Sequence, residues 1–394
     1  MRYITTHFKP LEEEPDFMLW IQEAPYNGHR KQQLIECYDK LDHKAPTPKQ
    51  CRKVKSFVKC ESYPMPKLPR WINSRSDYFK AFSGPWFHAI EKVVFSDNHF
   101  VKMRPVSERP LMINALKDCG KKFISTDYTA YESHFIPDFM EDCEFLLYRY
   151  LLSRFPQTAE LICSSLIVNH GSTRNGVSFQ CKGRRMSGDM CTSLGNGFTN
   201  LMLWNYLAEV KNIKWSGYVE GDDGIFAVQD KYPSAEDFAS MGFTIKIQVF
   251  DDPNDASFCG LLCADGCIIK DPYKFLRTFG WTCNISRPSH KMQMALLRAK
   301  ALSYLNEAPQ CPITAPLAWS AIAQTNGVQP RFMNDGYHNA QNIVLQPFNP
   351  SMEVRQYYEK NFHVSVATQL AMEALILNGN RDITSFFEAT HADH

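Results

Sequence analysis

Apolar and polar positions alternate with different periods along this chain, and the changes of period mark its elements. A helix rich in basic residues is predicted from Gly28 to Leu41, carrying Arg30 and Lys31. The stretch Phe57 to Tyr78 reads as extended and broken by prolines. From Lys122 the pattern changes. Lys122-Phe-Ile-Ser-Thr-Asp127 predicts a short buried strand ending on an aspartate, and an amphipathic helix follows from about Pro137 to Phe155. Between Val168 and Met186, Gly, Ser and Asn alternate with Val, Phe and Cys, which predicts a hairpin or an irregular β segment. Ser187-Gly188-Asp189 is expected to open a helix reaching about Val210. Ser216 to Val228 reads strand, turn, strand, with Asp223-Gly224 as the turn. A helix over Ala235 to Met241, a strand over Phe243 to Val249 and a hairpin over Phe258 to Ile269 complete the middle. The last hundred or so residues read as mainly helical, beginning with Ser289 to Leu305. A strand-helix-strand-strand-helix-strand middle is an α+β layout of ferredoxin-like type.

Composition narrows this little. The chain has 394 residues, 44% of them hydrophobic, enough for a sizeable core. With 43 basic and 42 acidic residues, net charge argues for no nucleic-acid partner, so any such site must be a local basic groove. The 13 cysteines lack the spacing of a secreted disulfide framework and read as reduced thiols. Cys259, Cys263 and Cys267 suggest a metal site only weakly, since no CxxC pair supports it, and hairpin packing is the expectation. The N-terminal stretch, with Glu12, Glu13 and Glu14, does not read as a signal peptide. No apolar run of about 18 residues is present to suggest a membrane span.

The candidate chemistry begins at Tyr218-Val-Glu-Gly-Asp222-Asp223-Gly-Ile-Phe-Ala-Val228, where two adjacent carboxylates sit between two apolar runs. Like charges repel there unless a cation offsets them, and oxygen ligands suit Mg²⁺ or Mn²⁺. Alone, Asp-Asp-Gly is an ordinary turn. Asp127, closing another apolar strand far upstream, changes its meaning. If the two strands are neighbours in one sheet, Asp127 and Asp222 can share a pair of metals for in-line nucleotidyl transfer, one activating a 3′-hydroxyl and the other steadying the triphosphate and leaving pyrophosphate. A strand-end cap is the plainer account of Asp127.

At this point the chain resembles the RNA-dependent RNA polymerases of positive-strand RNA viruses, and among them the tombusvirus-like and flavivirus-like groups. Asp127-Tyr-Thr-Ala-Tyr-Glu132 looks like motif A, and Ser187-Gly188-Asp-Met-Cys-Thr192-Ser-Leu-Gly-Asn196 looks like motif B. Gly221-Asp222-Asp223 looks like motif C, Phe243-Thr-Ile-Lys246 like motif D and Phe258-Cys259-Gly260 like the primer-grip motif E. Lys59-Cys-Glu61, then Lys67, Arg70, Ile72 and Arg75, resembles motif F; Tyr26 to Arg30 is a short match to the start of motif G. The departure is Glu132, where most relatives carry Asp. In the family this side chain and the motif B asparagine, here Asn196, read the ribose 2′-hydroxyl, so a polar pair favours ribonucleotides.

The resemblance implies a right-hand fold with a ferredoxin-like palm. Fingers are expected over 1–114 and 146–185, palm over 115–145 and 186–256, a primer-grip hairpin over 257–285 and a thumb over 286–394. It implies Asp127, Asp222 and Asp223 as ligands of two Mg²⁺ ions, with Mn²⁺ as substitute. Lys246 is the expected proton donor to pyrophosphate, although a lysine on a strand face is commonly just solvated. Lys59, Lys67 and Arg70, on a segment interrupted by Pro64, Pro66 and Pro69, are expected to meet the triphosphate, with Arg70 nearest the phosphates or the base. Ser187-Gly188 suits a hinge, and Thr192 belongs to the same nucleotide-binding set. Expected partners are template and nascent RNA, ribonucleoside triphosphates, other replication proteins and, through them, host membranes, placing the protein in a cytoplasmic, membrane-associated replication complex. The rival readings are a reverse transcriptase, disfavoured by Glu132 and by Gly-Asp-Asp, and a catalytically silent RNA-binding replication factor, disfavoured by the intact acidic positions.

Overall fold

The structure, a computed structural model, describes residues 1–61, 65–282, 288–332 and 343–379. Two compact units divide the chain. The first takes Met1–Lys59, Met65–Arg104 and Leu116–Asp251; the second includes Pro105–Ala115 and the described residues from Asp252 onward.

The strands of the first unit are β1 Lys53–Val58, β2 Trp71–Arg75, β3 Lys122–Tyr128, β4 Val168–Thr173, β5 Ser178–Lys182, β6 Trp215–Glu220, β7 Asp223–Val228 and β8 Ile245–Phe250. They form two sheets. One has the order β6-β7-β3-β8, antiparallel throughout. With helices between β3 and β6 and another between β7 and β8, this is the split βαβ arrangement expected from the pattern, and the molecule is α+β. Residues Phe123 to Thr126 of β3 and Gly224 to Val228 of β7 are all buried, because these central strands are covered on both faces. The helix Thr192–Val210 packs against this sheet, and Trp204 stacks on Phe226 with ring centroids 3.7 Å apart and planes within 3°. The second sheet has the order β2-β1-β4-β5, with β1 and β4 parallel.

Several expectations shift. The helix predicted over Pro137 to Phe155 is two, Pro137–Asp142 and Glu144–Leu151, because Cys143 leaves helical geometry at φ −120°, ψ −90°. A further helix, Pro156–Ile167, was missed; Pro156 starts it in the first turn, where its absent N–H costs nothing. The Phe57–Tyr78 stretch is not extended throughout, since β2 is followed by a helix from Asp77 capped by Ser76. The helix after Ser187 begins at Thr192, and the preceding residues form a turn. The hairpin turn is Gly221-Asp222, not Asp223-Gly224. Gly221 takes the positive φ of 59°, while Gly224 lies in β7, paired with Thr126 and Val219. Gly224 is needed for space: an added Cβ would lie 2.6 Å from the Thr126 hydroxyl and 2.6 Å from the Phe226 ring.

The second unit joins a hairpin, β9 Leu262–Ala264 and β10 Cys267–Ile269, to the helices His290–Glu307, Thr314–Gln324, Met352–Phe362 and Val366–Leu377. Its core gathers Ile268, Ile269, Phe275, Tyr304, Val354 and Tyr358. A bidentate pair, Arg355 with Glu373 at 3.0 and 2.8 Å, joins its last two described helices. Cys263 is buried within this hairpin, and burial pushes its thiol up to about 12. Pro64, and parts of 257–285 and 286–394, lie outside the described residues.

Candidate active site

The antiparallel register of β3 and β7 carries the two halves of the acidic site to one sheet end. Thr126 pairs with Gly224, so Asp127 falls beside Asp223 and the Gly221-Asp222 turn. Asp127 ends the buried run of β3 and is exposed. On its other side it stands opposite Lys246 of β8, which is also exposed. Directly opposed residues share a face, so the expected proton donor and the expected ligand are neighbours. Glu132 is half-buried on the short turn of helix Tyr131–His134 that follows β3.

Electrostatics reports how these groups converge. Asp222 keeps a solvent-facing edge at the turn tip, yet its carboxyl is raised above the usual range. The crowding of protein around it is the main cause, followed by the negative charges of Glu132 and Asp127. Arg70 acts in the opposite direction, which places it within electrostatic reach of the turn. Lys59 and Lys67 are exposed on the same segment, whose ends are tied by the Lys59 amide donating to the Arg70 carbonyl at 2.8 Å. Among the described residues no three His, Cys, Asp or Glu side chains are gathered closely enough to cage an ion as they stand. The donor set at the sheet end is nonetheless all oxygen and carries an excess of negative charge, which suits a hard divalent cation.

Behind the carboxylates lies a layer that sequence reasoning missed. Asn200, on the helix Thr192–Val210 and 1% exposed, donates to the carbonyls of Gly221 at 3.3 Å and Asp223 at 3.0 Å. It accepts from the hydroxyl of Tyr128 at 3.3 Å. One buried amide therefore ties both sides of the turn to the end of β3. Its signal in the sequence is its spacing from Asn196, one helical turn earlier on the same face. Arg185 makes a second tie. Its backbone N–H donates to the Glu132 carbonyl at 3.0 Å, and its Nε donates to Asn196 Oδ1 at 3.1 Å. Its charge is met by Glu144, both side chains being almost fully buried. Nothing local announces that pair.

Other expected site residues are also placed. Ser187 and Gly188 are half-buried in the turn before the helix, and Gly188 packs so closely on β2 that an added Cβ would lie 2.8 Å from the Asn73 carbonyl. The Thr192 hydroxyl hydrogen-bonds the carbonyls of Met186 at 3.1 Å and Asp189 at 2.9 Å, so it closes this turn. Asn196 is 3% exposed and also accepts, through its carbonyl, from Tyr131 at 3.2 Å.

Residues 89–268 match the family of viral RNA-dependent RNA polymerases. The matched span contains Asp127, Glu132, the Ser187 turn, Asn196, Gly221-Asp222-Asp223 and Lys246, and it excludes the segment with Lys59, Lys67 and Arg70. Similar proteins include the RNA-directed RNA polymerases of Striped jack nervous necrosis virus and Greasy grouper nervous necrosis virus. Each is 26% identical over 206 residues, covering 49% of this chain and 21% of the relative. That of Atlantic halibut nervous necrosis virus is 27% identical over 218 residues, with the same coverage. This chain thus spans about a fifth of the length of the relatives it matches.

Proposed function

We propose that this chain is the polymerase core of a viral RNA-directed RNA polymerase, adding ribonucleoside monophosphates to an RNA 3′ end under the direction of an RNA template and releasing pyrophosphate. The observation that carries the reading is the adjacency of Asp127 and the Gly221-Asp222-Asp223 turn on paired strands. The match over residues 89–268 supports it independently. The narrower likeness to tombusvirus-like and flavivirus-like enzymes rests on the motif series alone.

In this reading the sheet β6-β7-β3-β8 and its helices are the palm, over 115–145 and 186–256. Residues 1–114 and 146–185 serve as fingers, 257–285 as the primer grip and 286–394 as the thumb. Asp127 and Asp222 would hold Mg²⁺, with Asp223 secondary, because an oxygen-only set with an excess of negative charge fits that ion. Two Mg²⁺ ions, when bound, would supply charge neutralisation for the triphosphate and a lowered pKa for the 3′-hydroxyl. The chain's own residues do the rest. Arg70, Lys59 and Lys67 draw the triphosphate toward the turn. Glu132 and Asn196, both held by Arg185, recognise the 2′-hydroxyl, and Ser187, Gly188 and Thr192 shape the floor beneath the nucleotide. Lys246, beside Asp127, gives a proton to pyrophosphate. Template, nascent RNA and nucleotides are the partners this chemistry requires. Assembly with further replication proteins on a host membrane in the cytoplasm is part of the same proposal, and none of the described helices is long and apolar enough to cross a membrane.

The test is primer extension with Mg²⁺ by the Asp222→Asn variant. Loss of about 100-fold or more in rate is expected when a charge-stabilising group at the reacting centre is removed. Undiminished synthesis would end the proposal.

A further inference from the structure

Buried ion pairs stand at both ends of the Met186–Asp189 turn. At the upstream end, Arg185 joins Glu144, with side-chain exposures of 1% and 0%, and its guanidinium lies 4.5 Å over the Phe135 ring. At the downstream end, Asp189 takes a two-pronged contact from Arg75, Nε to Oδ1 at 2.9 Å and Nη2 to Oδ2 at 2.8 Å. Their side chains are 1% and 2% exposed. The remaining Arg75 donors reach the carbonyls of Cys51 at 3.2 Å and Ser165 at 2.7 Å, and Asn169 Oδ1 at 2.6 Å. Every N–H of this guanidinium is therefore used, and one side chain ties β2, the short helix Pro48–Arg52 that leads into β1, the helix Pro156–Ile167 and β4 to the turn.

A buried ion pair is a poor source of net stability, because desolvation offsets its attraction, and in some proteins its use is to enforce one geometry. Here the enforced points bracket Ser187 and Gly188. The Asp189 amide donates to the Met186 carbonyl at 2.9 Å, and Thr192 closes the same turn. Arg185 also positions Glu132 and Asn196.

We propose that Arg75 and Asp189, acting with Arg185 and Glu144, clamp the two ends of this turn, confine its motion to Ser187 and Gly188, and so serve as positioning residues for ribonucleotide selection at Glu132 and Asn196; the selection part rests on the function proposed above. The clamp acts through geometry alone, without contact between Arg75 or Asp189 and the nucleotide.

The test uses the full chain and the variants Asp189→Asn and Arg75→Lys. The first keeps the shape and removes the charge; the second keeps the charge and removes the fork. Nucleotide KM, kcat, preference for ribo- over 2′-deoxyribonucleotides, RNA affinity and thermal midpoint are measured together. A loss of about 10- to 100-fold in ribose preference, carried by KM with RNA affinity unchanged, is expected from a displacement of about 1 Å. A lowered midpoint with unchanged KM and preference overturns the proposal. Should neither variant fold, hydrogen exchange on the unaltered chain decides. Exchange at Ser187 and Gly188 ahead of Arg185, Asp189 and Thr192 supports the clamp, and exchange of the whole span Arg185–Thr192 as one unit overturns it. If the unaltered chain makes no RNA, the functional reading fails, while the exchange measurement still decides the clamp.

Discussion

Replacing Asn200 by leucine asks whether the acidic turn is held in place by the helix beneath it. The side chain is 1% exposed, and leucine keeps its branched outline with bulkier methyl groups, so no cavity results and some crowding is added. What disappears are the bonds to Gly221 and Asp223 and the acceptor for Tyr128. Each is worth about 1 kcal/mol net, giving about 3 kcal/mol in all. For a unit of this size that lowers the thermal midpoint by roughly 6–12 °C. The effect on activity is expected to exceed the effect on stability. With the turn carbonyls released, Asp222 moves relative to Asp127, and a displacement near 1 Å costs about 100-fold in rate. The assay is primer extension per folded molecule, well below the lowered midpoint, alongside thermal unfolding. Asn200→Asp is a companion, since it keeps an acceptor for Tyr128 but aims a carboxylate at two carbonyl oxygens; it should be no more active than the leucine variant. A leucine variant that unfolds earlier yet extends primers at the unaltered rate refutes the argument, because Asn200 would then support the fold without setting the turn.

Two further predictions concern the scaffold. Glu91, on the helix Asp77–Val94, has its carboxyl pushed up to about 7 by burial, a shift that nearby Lys102 only partly offsets. The folded state holds this proton to higher pH than the unfolded chain does, so stability falls as pH rises from about 4.5 to about 7, by about 3 kcal/mol across that window. Glu91→Gln should flatten the fall, and unfolding curves at pH 5 and pH 8 that run parallel to those of the unaltered chain would contradict this. Gly224→Ala forces a Cβ to within 2.6 Å of Thr126 and Phe226 and should cost about 1–3 kcal/mol by urea unfolding. A neutral result would mean that β3 and β7 are less tightly packed than described.

Much of the sheet β6-β7-β3-β8 was legible because its signals are local. β3 and β7 are short apolar runs ending or beginning on aspartate, and Gly221 supplies the turn with a positive φ. The exact turn was misread because Asp-Gly is equally good turn chemistry; only the packing of Gly224 against Thr126 and Phe226 assigns it to the strand. The helix break at Cys143 was invisible for a similar reason. Its sequence surroundings favour a helix, and the break coincides with Glu144 turning inward to meet Arg185.

What the sequence specified by itself is therefore the strands of the β6-β7-β3-β8 sheet and the residues placed near their ends: Asp127, Gly221-Asp222-Asp223, Glu132 and Asn196, whose spacing and flanking patterns are properties of short segments. What only the tertiary structure decided is which polar groups lose their water and with whom they pair. Arg75 and Lys67 look alike in the sequence, both cations on one interrupted stretch, yet Arg75 is buried on Asp189 while Lys67 is exposed. Asn200 looks like any helical asparagine until the turn folds over it. Burial is set by contacts between residues distant in the chain, and burial turns a solvated charge or amide into a fixed one.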